Sequence, residues 1–461
     1  MSLKLRETLQ NFIRRVRSSG FLKSVLTLSS GAVVGQAINF FGMPIVGRVY
    51  TPEAMGDYTV ITTNAGVIGA VACLGMMTVF LLPERDEEAR GLSRLVLLAT
   101  VAITTLAVLF LWVIAPYWRI FSTEETPYTL ALVVLWLYNI CNTVSNICYA
   151  YANRHSLYRV LFWNPVLYSG VNVALSILFG VLNWGFLGYT LASILAFVVN
   201  IAHLMLHGNA FGKVEDPDCR PLPLLKSYRR FPVYQMPANL ISSLGTQIPV
   251  QMMERYYSSA ALGMYSMALK VLSLPTSLLA TPVNRVYFQE ASQRYNRGED
   301  IGEFSFKILK ANIKIAIIPI SILIIFGEWI FALFLGEQWR EAGTYAAILG
   351  VSQIFSFCAG CLSGCFVIVN RNQLNLADAV FTLLYNAGLA GFMLLHVPDV
   401  YVWVWIICIL NVIRVLLLQG VFLKITGVAV QRYLLFILCY VILPLIVVWG
   451  IRLGIHALGV E

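Results

Sequence analysis

The stretches "RVYTPEAMGDY" at residues 48–58 and "RYYSSAALGMY" at residues 255–265 repeat one pattern within a single chain. A shift of 207 residues superimposes five identical pairs, which are Arg48 on Arg255, Tyr50 on Tyr257, Ala54 on Ala261, Gly56 on Gly263 and Tyr58 on Tyr265. Both stretches follow a long apolar run. Identity at one fixed spacing indicates that the chain consists of two related halves.

The composition around these stretches is that of a membrane protein. Of the 461 residues, 59% are hydrophobic and 12% are charged, whereas about 25% of the residues of a soluble domain are charged. Apolar runs of roughly 20 residues, enough for a helix to cross about 30 Å of hydrocarbon, recur along almost the whole chain. We therefore predict an all-α integral membrane protein.

The apolar runs predict six membrane-spanning helices before the first substantial polar segment, near residues 21–46, 54–82, 95–116, 127–151, 156–180 and 184–206. Six more are expected near residues 231–254, 259–285, 312–335, 343–369, 374–395 and 400–423, with a further candidate at 431–456. The segment between the two sets contains Gly, Pro and mixed charge and has no helical apolar stripe, which is typical of a linker.

These boundaries predict four parts, which are an N-terminal six-helix lobe at 1–206, a cytoplasmic linker at 207–230, a C-terminal six-helix lobe at 231–424 and an additional transmembrane segment at 425–461. Because six helices separate the repeated stretches, the two lobes should have the same orientation. Such a parallel repeat predicts a pseudo-two-fold axis along the membrane normal and a central cavity between lobes that rock against each other. Alternating access is the expected consequence.

Lys and Arg residues are concentrated in alternate loops, as at Arg85, Arg90 and Arg94, in the linker, and at Lys307 and Lys310. Cytoplasmic loops carry this excess, so the N-terminus is predicted to be cytoplasmic. The same residues account for the net charge of +9 as topology anchors. We therefore expect no nucleic-acid partner.

Three quoted stretches resemble a known family. They are "GRVYTPEAMGDY" at 47–58, "FLLPERDEEARGL" at 80–92 and "FPVYQMPANLISSLGTQIPVQMMERYYSSAALGMYSMALKVLSLP" at 231–275. The chain is similar to the polysaccharide flippases of the multidrug, oligosaccharidyl-lipid and polysaccharide exporter superfamily, which include the O-antigen flippases. The resemblance implies twelve to fourteen helices.

The resemblance also implies a function and a place in the cell. It implies that a polyprenyl-pyrophosphate-linked oligosaccharide is moved from the inner to the outer leaflet of a bacterial cytoplasmic membrane, for surface polysaccharide such as lipopolysaccharide O-antigen. The expected partners are this lipid-linked oligosaccharide, membrane lipids and the polymerase or ligase machinery of the pathway.

Ionisable residues inside apolar spans are the candidate substrate-binding residues, because each costs about 2.5 to 3.5 kcal/mol at a helix centre unless it faces protein or water. Lys270 lies near the middle of its span and could attract a pyrophosphate, or could snorkel or pair internally. Arg48 and Arg255 lie at the outer ends of paired helices, where they could bind phosphate or anchor the helix. Arg414 could contact substrate or pair with Asp378 across a helical hairpin.

Further polar residues are candidates for lining the cavity or for coupling to an ion. Glu254 and Asp378 could serve as proton sites, although Glu254 and Asp57 are equally explained by pairing with the neighbouring arginines. The candidate amides are Gln36, Asn39, Asn64, Asn239, Gln247 and Asn411. Each could line a sugar path or hydrogen-bond between helices, and for each one the interhelical bond is the favoured interpretation.

Other functions fit the sequence less well. An enzyme would need a larger loop outside the membrane to present acids or bases, so we expect none. A multidrug or organic-cation antiporter of the same superfamily would favour buried carboxylates, whereas Lys270 and Arg414 favour an anionic substrate. A lipid II flippase remains an alternative. Cys358, Cys361 and Cys365 lack a fourth ligand, and no metal or cofactor is expected.

Overall fold

The computed structural model describes residues 20–115, 127–275, 281–362, 364–369, 371 and 373–457, and every regular element in these ranges is helical. The helices before the linker are α1 (Gly20–Val49), α2 (Pro52–Ala72), α3 (Asp86–Ile114), α4 (Tyr128–Arg154), α5 (Tyr158–Val181) and α6 (Gly185–His207). The linker contains the short helix α7 (Pro221–Ser227).

The helices after the linker are α8 (Met236–Tyr256), α9 (Ser259–Pro275), α10 (Thr281–Asn296), α11 (Ile301–Leu335), α12 (Arg340–Cys361), α13 (Cys365–Ile368), α14 (Gln373–Leu395), α15 (Val400–Ile425), α16 (Val430–Ile437) and α17 (Leu443–Ala457). Among the described residues, ten helical segments are long and apolar enough to cross a membrane, and α9 is a shorter apolar helix. The all-α membrane fold is confirmed, while the total of twelve to fourteen spans stays a prediction.

Each predicted span coincides with a helix, but several boundaries were wrong. The span expected at 54–82 ends as an α-helix at Ala72, because Leu74 and Gly75 adopt positive φ angles of 52° and 66° before a 3₁₀-helix at Met76–Leu81. The span expected at 259–285 is an α-helix only as far as Pro275. The span expected at 312–335 begins earlier, at Ile301, where the Asp300 carboxylate accepts the backbone N–H groups of the first turn.

The repeated stretches lie against each other through their glycines. A Cβ atom added to Gly56 would lie 1.9 Å from the carbonyl oxygen of Ser259, and one added to Gly263 would lie 1.8 Å from that of Pro52. The 207-residue shift exchanges these two contacts, as a two-fold axis between α2 and α9 would. Only glycine permits so close an approach of two backbones. The division of the chain into two whole lobes stays a prediction.

The second half also closes the end of α1. Gln338 donates its side-chain amide to the carbonyl oxygens of Gly47 and Tyr50 at 2.7 and 3.0 Å, and Trp339 donates its indole N–H to Gly47 at 2.6 Å. These carbonyls are the last ones of a helix and have no intrahelical partner. The loop between α11 and α12 therefore caps α1.

The linker is partly ordered and docks on α3, which differs from the irregular segment that the sequence predicts. Leu224 of α7 is buried, and Tyr228 donates to the Glu88 carboxylate at 2.9 Å. Arg85 pairs with Asp216 at 2.7 Å. The linker is therefore held to the first half.

Candidate functional site

A polar cavity of about 630 Å³ lies within the apolar helical protein. Thr59 and Thr63 of α2 contribute one wall, and α8, α9, α12, α14 and α15 contribute the others. Polar side chains predominate among the lining residues of the second half, which include Ser242, Thr246, Ser266, Ser352, Gln353, Asn375, Asp378, Thr382, Tyr385, Asn386, Asn411 and Arg414. Thr59, one turn from Gly56, is the lining residue of α2 that lies nearest in sequence to the glycine contact.

A proline shapes the wall formed by α8. Pro249 lies inside α8 and has no N–H to donate to the carbonyl oxygen of Gly245, four residues earlier. Asn386 of α14 donates its side-chain amide to that oxygen at 2.9 Å. In hydrocarbon every backbone polar group needs such a partner. The pair α8 and α14 is thereby joined beside the cavity.

Arg414 and Asp378 form the ion pair that was one of the two sequence interpretations. The Arg414 guanidinium donates through Nη1 to Asp378 Oδ2 at 2.8 Å and through Nε and Nη2 to Asn411 Oδ1 at 3.3 Å. Their side chains keep 24% and 22% exposure, because both line the cavity. The pairing is confirmed, and contact of Arg414 with substrate stays a prediction, for which the guanidinium has further N–H donors.

Lys270 reaches from α9 to the first half. Its ammonium donates to the Tyr189 hydroxyl at 2.8 Å and lies 5.4 Å from the centroid of the same ring. Tyr50 and Tyr58 pack edge-on against Tyr189, with centroid distances of 5.1 and 4.4 Å. Lys270 is exposed and stands one turn beyond Ser266, which lines the cavity. Lys270 itself is not among the residues that line the cavity, and its ammonium is held by Tyr189.

Arg48 and Arg255 do not line the described cavity. Both are exposed, and Arg48 donates to the carbonyl oxygen of Leu333 at 3.0 Å, next to the loop that caps α1. Glu254 and Asp57 are buried, and Ser259 Oγ lies 2.9 Å from one carboxylate oxygen of each. The repeated stretch therefore carries a junction between the halves at which two carboxylates meet one hydroxyl.

The candidate amides fall into different environments. Asn39 bonds to Ser169 of α5 at 3.1 Å, whereas Asn64 donates to Val60 of its own helix at 2.8 Å. Asn239 accepts from Gln235 at 3.0 Å, again along its own helix. Gln247 is buried and no hydrogen-bond partner of its side chain is seen among the described residues. Gln36 is half-buried. An interhelical bond is thus confirmed for Asn39.

The sequence interpretation missed most of the cavity wall. Thr59, Thr63, Ser266 and Tyr385 gave no signal, because hydroxyl groups inside helices commonly bond to their own backbone. Asn386 was detectable as an amide in an apolar helix, as Asn411 was. Lys270 was found because a single ammonium in an apolar span is conspicuous.

One group of described side chains has the spacing of a metal site. Glu87, Asp216 and Cys219 place one ligand atom each within 4.8 Å of one another, where the linker meets α3. Asp216, however, already accepts hydrogen bonds from the backbone N–H of Asp218 and from the Arg85 guanidinium. Both bonds lower the pKa of Asp216, and the bond from Asp218 has the larger effect. These contacts explain the cluster without an ion.

Comparison with known proteins gives the same fold. The sequence model of a family described as "Polysaccharide biosynthesis protein" matches residues 45–344. The teichuronic acid biosynthesis protein TuaB of Bacillus subtilis (strain 168) is 24% identical over 203 residues, which cover 42% of this chain and 40% of that protein. The chain thus spans less than half of this curated relative.

Two solved structures are similar over nearly their whole length. The inward closed conformation of the lipid II flippase MurJ superimposes with a TM-score of 0.66 at 15% identity, covering 95% of this chain and 98% of that one. An inward-facing multidrug resistance transporter of the MATE family gives 0.57 at 15% identity, covering 87% and 99%. At this level of identity the likeness shows the fold.

Proposed function

This chain belongs to the polysaccharide biosynthesis protein family, and from that premise we propose that it carries a polyprenyl-pyrophosphate-linked oligosaccharide across the cytoplasmic membrane of a bacterium. It is a multi-pass membrane protein of flippase type that serves polysaccharide biosynthesis. The nature of the cargo, the inner membrane and a cytoplasmic N-terminus are parts of the proposal. The proposed pathway is the biosynthesis of surface polysaccharide such as O-antigen.

The observation that carries the proposal is the polar cavity of about 630 Å³ in an otherwise apolar helical protein. The hydroxyl groups of Thr59, Thr246 and Ser352 donate to backbone carbonyls of their own helices and keep lone pairs that can accept from a sugar. An amide such as that of Asn375 can both donate and accept. Burying polar groups costs free energy unless they are hydrogen-bonded, and the lone pairs and N–H groups along this wall can form such bonds with the hydroxyl groups of a sugar. The saccharide is therefore proposed to occupy this cavity.

The charges beside the cavity suit an anionic head group. Lys270 is an exposed residue whose ammonium donates to the Tyr189 hydroxyl and lies beside the same ring. Arg414 is neutralised by Asp378 but keeps donors for a phosphate oxygen. We assign the pyrophosphate to Lys270 first, with Arg414 as a second contact. Arg48 and Arg255, exposed at the ends of α1 and α8, are proposed to meet it at the outer surface.

The cycle is proposed to be alternating access. The glycine contact of α2 with α9 is proposed to close one end of the cavity, at the side that the sequence assigns to the outside. Separation of these two helices would open that end while the prenyl chain stays in lipid. Binding of the head group shifts the protein between the closed and the open state only if its binding free energy differs between these two states.

Reconstitution tests the proposal. Purified protein in liposomes receives a fluorescent polyprenyl-pyrophosphate oligosaccharide, and an impermeant lectin reports its arrival in the opposite leaflet. We expect protein-dependent exposure above that of liposomes with heat-denatured protein. Export of an organic cation without movement of the glycolipid would instead support an antiporter, and no exposure with well-folded protein would reject the proposed cargo.

A further inference from the structure

We propose that the groove between α11 and the C-terminal helix binds one anionic phospholipid of the surrounding bilayer. The groove has a volume of about 470 Å³ and lies outside the cavity described above. Ile318 and Ile322 of α11 and Tyr440 of the C-terminal segment form exposed apolar walls. Lys314 lies at one end. This site is independent of the proposed transport function.

The shape of the groove follows from an irregular turn. Residues Leu438–Ile442 form a π-helical turn between α16 and α17, and Pro444 follows within α17. A π-helical turn widens the helix, and proline removes a backbone donor, so the two helices cannot pack as closely here. A channel is left along α11 that is wide enough for an acyl chain.

Three lysines lie along the same face of α11 as the groove. Lys307, Lys310 and Lys314 are spaced by three and four residues, so their side chains share one face of the helix. Lys310 and Lys314 lie 4.5 and 5.2 Å from the ring centroids of Phe306 and Tyr440. Within the part of the chain that the structure describes, no carboxylate pairs with these three ammonium groups.

Along the described helix α11, the acidic side chain nearest in sequence to these lysines is already neutralised. Glu303, one turn before Lys307, forms an ion pair with Arg432 of α16. The lysine face therefore keeps its positive charge. Each lysine near the membrane surface attracts anionic lipids by about 1 kcal/mol. The positive charge beside this groove therefore favours the negatively charged phosphate group of one lipid.

The depth of the lysines suits a lipid head group. α11 has 35 residues and is about 52 Å long, whereas the hydrocarbon core is about 30 Å thick. If the span ends at Leu335, the hydrocarbon reaches back over about 20 residues, to just beyond Lys314. Lys314 then lies at the level of the phosphates, and Ile318 and Ile322 lie at the level of the acyl chains.

Ordinary anchoring of lysines at the interface is the competing explanation, and a groove-filling variant separates the two. Ser321 lines the groove and carries no charge. Ser321→Trp would block the acyl chain and leave every lysine in place. Simple electrostatic attraction between the lysines and an anionic lipid would not change with Ser321→Trp. Lys213→Ala is the matched control, because Lys213 is an exposed lysine of the linker on the other half.

Native mass spectrometry of the purified full-length protein measures the result. We expect the wild type to retain one phosphatidylglycerol where phosphatidylcholine of the same chains is not retained. Lys310→Ala/Lys314→Ala should weaken the affinity behind this occupancy about thirtyfold, Ser321→Trp should weaken it comparably, and Lys213→Ala should leave it unchanged. Size-exclusion profiles check folding, and Lys314→Arg should retain binding.

Three outcomes would overturn the proposal. If Ser321→Trp retained phosphatidylglycerol as well as the wild type does, the lysines would attract the lipid by charge alone, without the groove. An equal loss in Lys213→Ala would show a general effect of net charge. Displacement of the retained lipid by polyprenyl phosphate, with no effect of added phosphatidylglycerol, would assign the groove to the substrate.

Discussion

Asn386 donates its side-chain amide to the carbonyl oxygen of Gly245 that Pro249 cannot satisfy, and so joins α14 to α8 across a proline break. Because the bond is buried, water does not readily replace it. Asn386→Leu should therefore lower stability by about 1 to 3 kcal/mol. Thermal unfolding in detergent measures this effect.

The same break offers its own control. Pro249→Ala restores the N–H that can bond to Gly245 within α8. We expect Pro249→Ala to recover most of the stability that Asn386→Leu loses, so that the double variant is more stable than Asn386→Leu alone. If the two changes are simply additive, the proline and the amide are not coupled in the way described.

The reciprocal glycine contacts predict a gate at one end of the cavity. Gly56→Ala or Gly263→Ala would place a methyl group within 1.9 Å of a backbone oxygen of the other helix, so α2 and α9 must separate. The measurement uses a cysteine introduced at Thr63, in a background with the native cysteines replaced. We expect this cysteine to react faster with an impermeant thiol reagent added outside when Gly56→Ala or Gly263→Ala is present than when the glycines are unchanged.

Gly66→Ala is the matched control for this experiment, because Gly66 lies on the same helix as Gly56 and an added Cβ would meet no atom within 4 Å. It should leave the rate of labelling unchanged. Equal labelling of the Gly56→Ala, Gly66→Ala and unsubstituted proteins would contradict the assignment of the glycine contact as a closure.

The positions of the helices followed from the sequence, because hydrocarbon thickness fixes the length of an apolar run. Their ends did not. The start of α11 at Ile301 was missed although Asp300 is a recognisable N-cap, since the charged first turns extend beyond the hydrocarbon. The break after Ala72 was missed because Leu74 has a positive φ angle that leucine rarely adopts.

The charged part of the site was more predictable than its neutral part. Arg414 and Asp378 are opposite charges on consecutive helices, so their pairing could be inferred from spacing. The partner of Asn386 could not, because it depends on the register between α14 and the proline of α8. Tyr189 as the partner of Lys270 depends on how the first half packs against α9, which no local pattern reveals.

A cycle of variants separates the structural and the substrate-binding roles of Arg414. Arg414→Ala leaves the Asp378 carboxylate without its guanidinium and should lower stability by about 1.5 to 3 kcal/mol. Arg414→Ala/Asp378→Asn should recover part of this stability. If Arg414 also holds the pyrophosphate, both variants should lose transport in the lectin assay, whereas Asp378→Asn alone should keep it. Full transport by the double variant would leave Arg414 a structural role alone.

Lys270 gives the sharpest test of the site, because its bond to Tyr189 joins the two halves and its residue is exposed. Lys270→Ala should reduce transport at least about tenfold, since a charge-assisted hydrogen bond contributes about 1.5 to 3 kcal/mol. Lys270→Arg should retain much of the activity, because it keeps the charge. Tyr189→Phe removes the hydroxyl partner and leaves the ammonium free, so its transport should exceed that of Lys270→Ala. If Tyr189→Phe fails as completely as Lys270→Ala, the bond between the halves is what transport needs. If Lys270→Ala transports normally, the pyrophosphate is bound elsewhere.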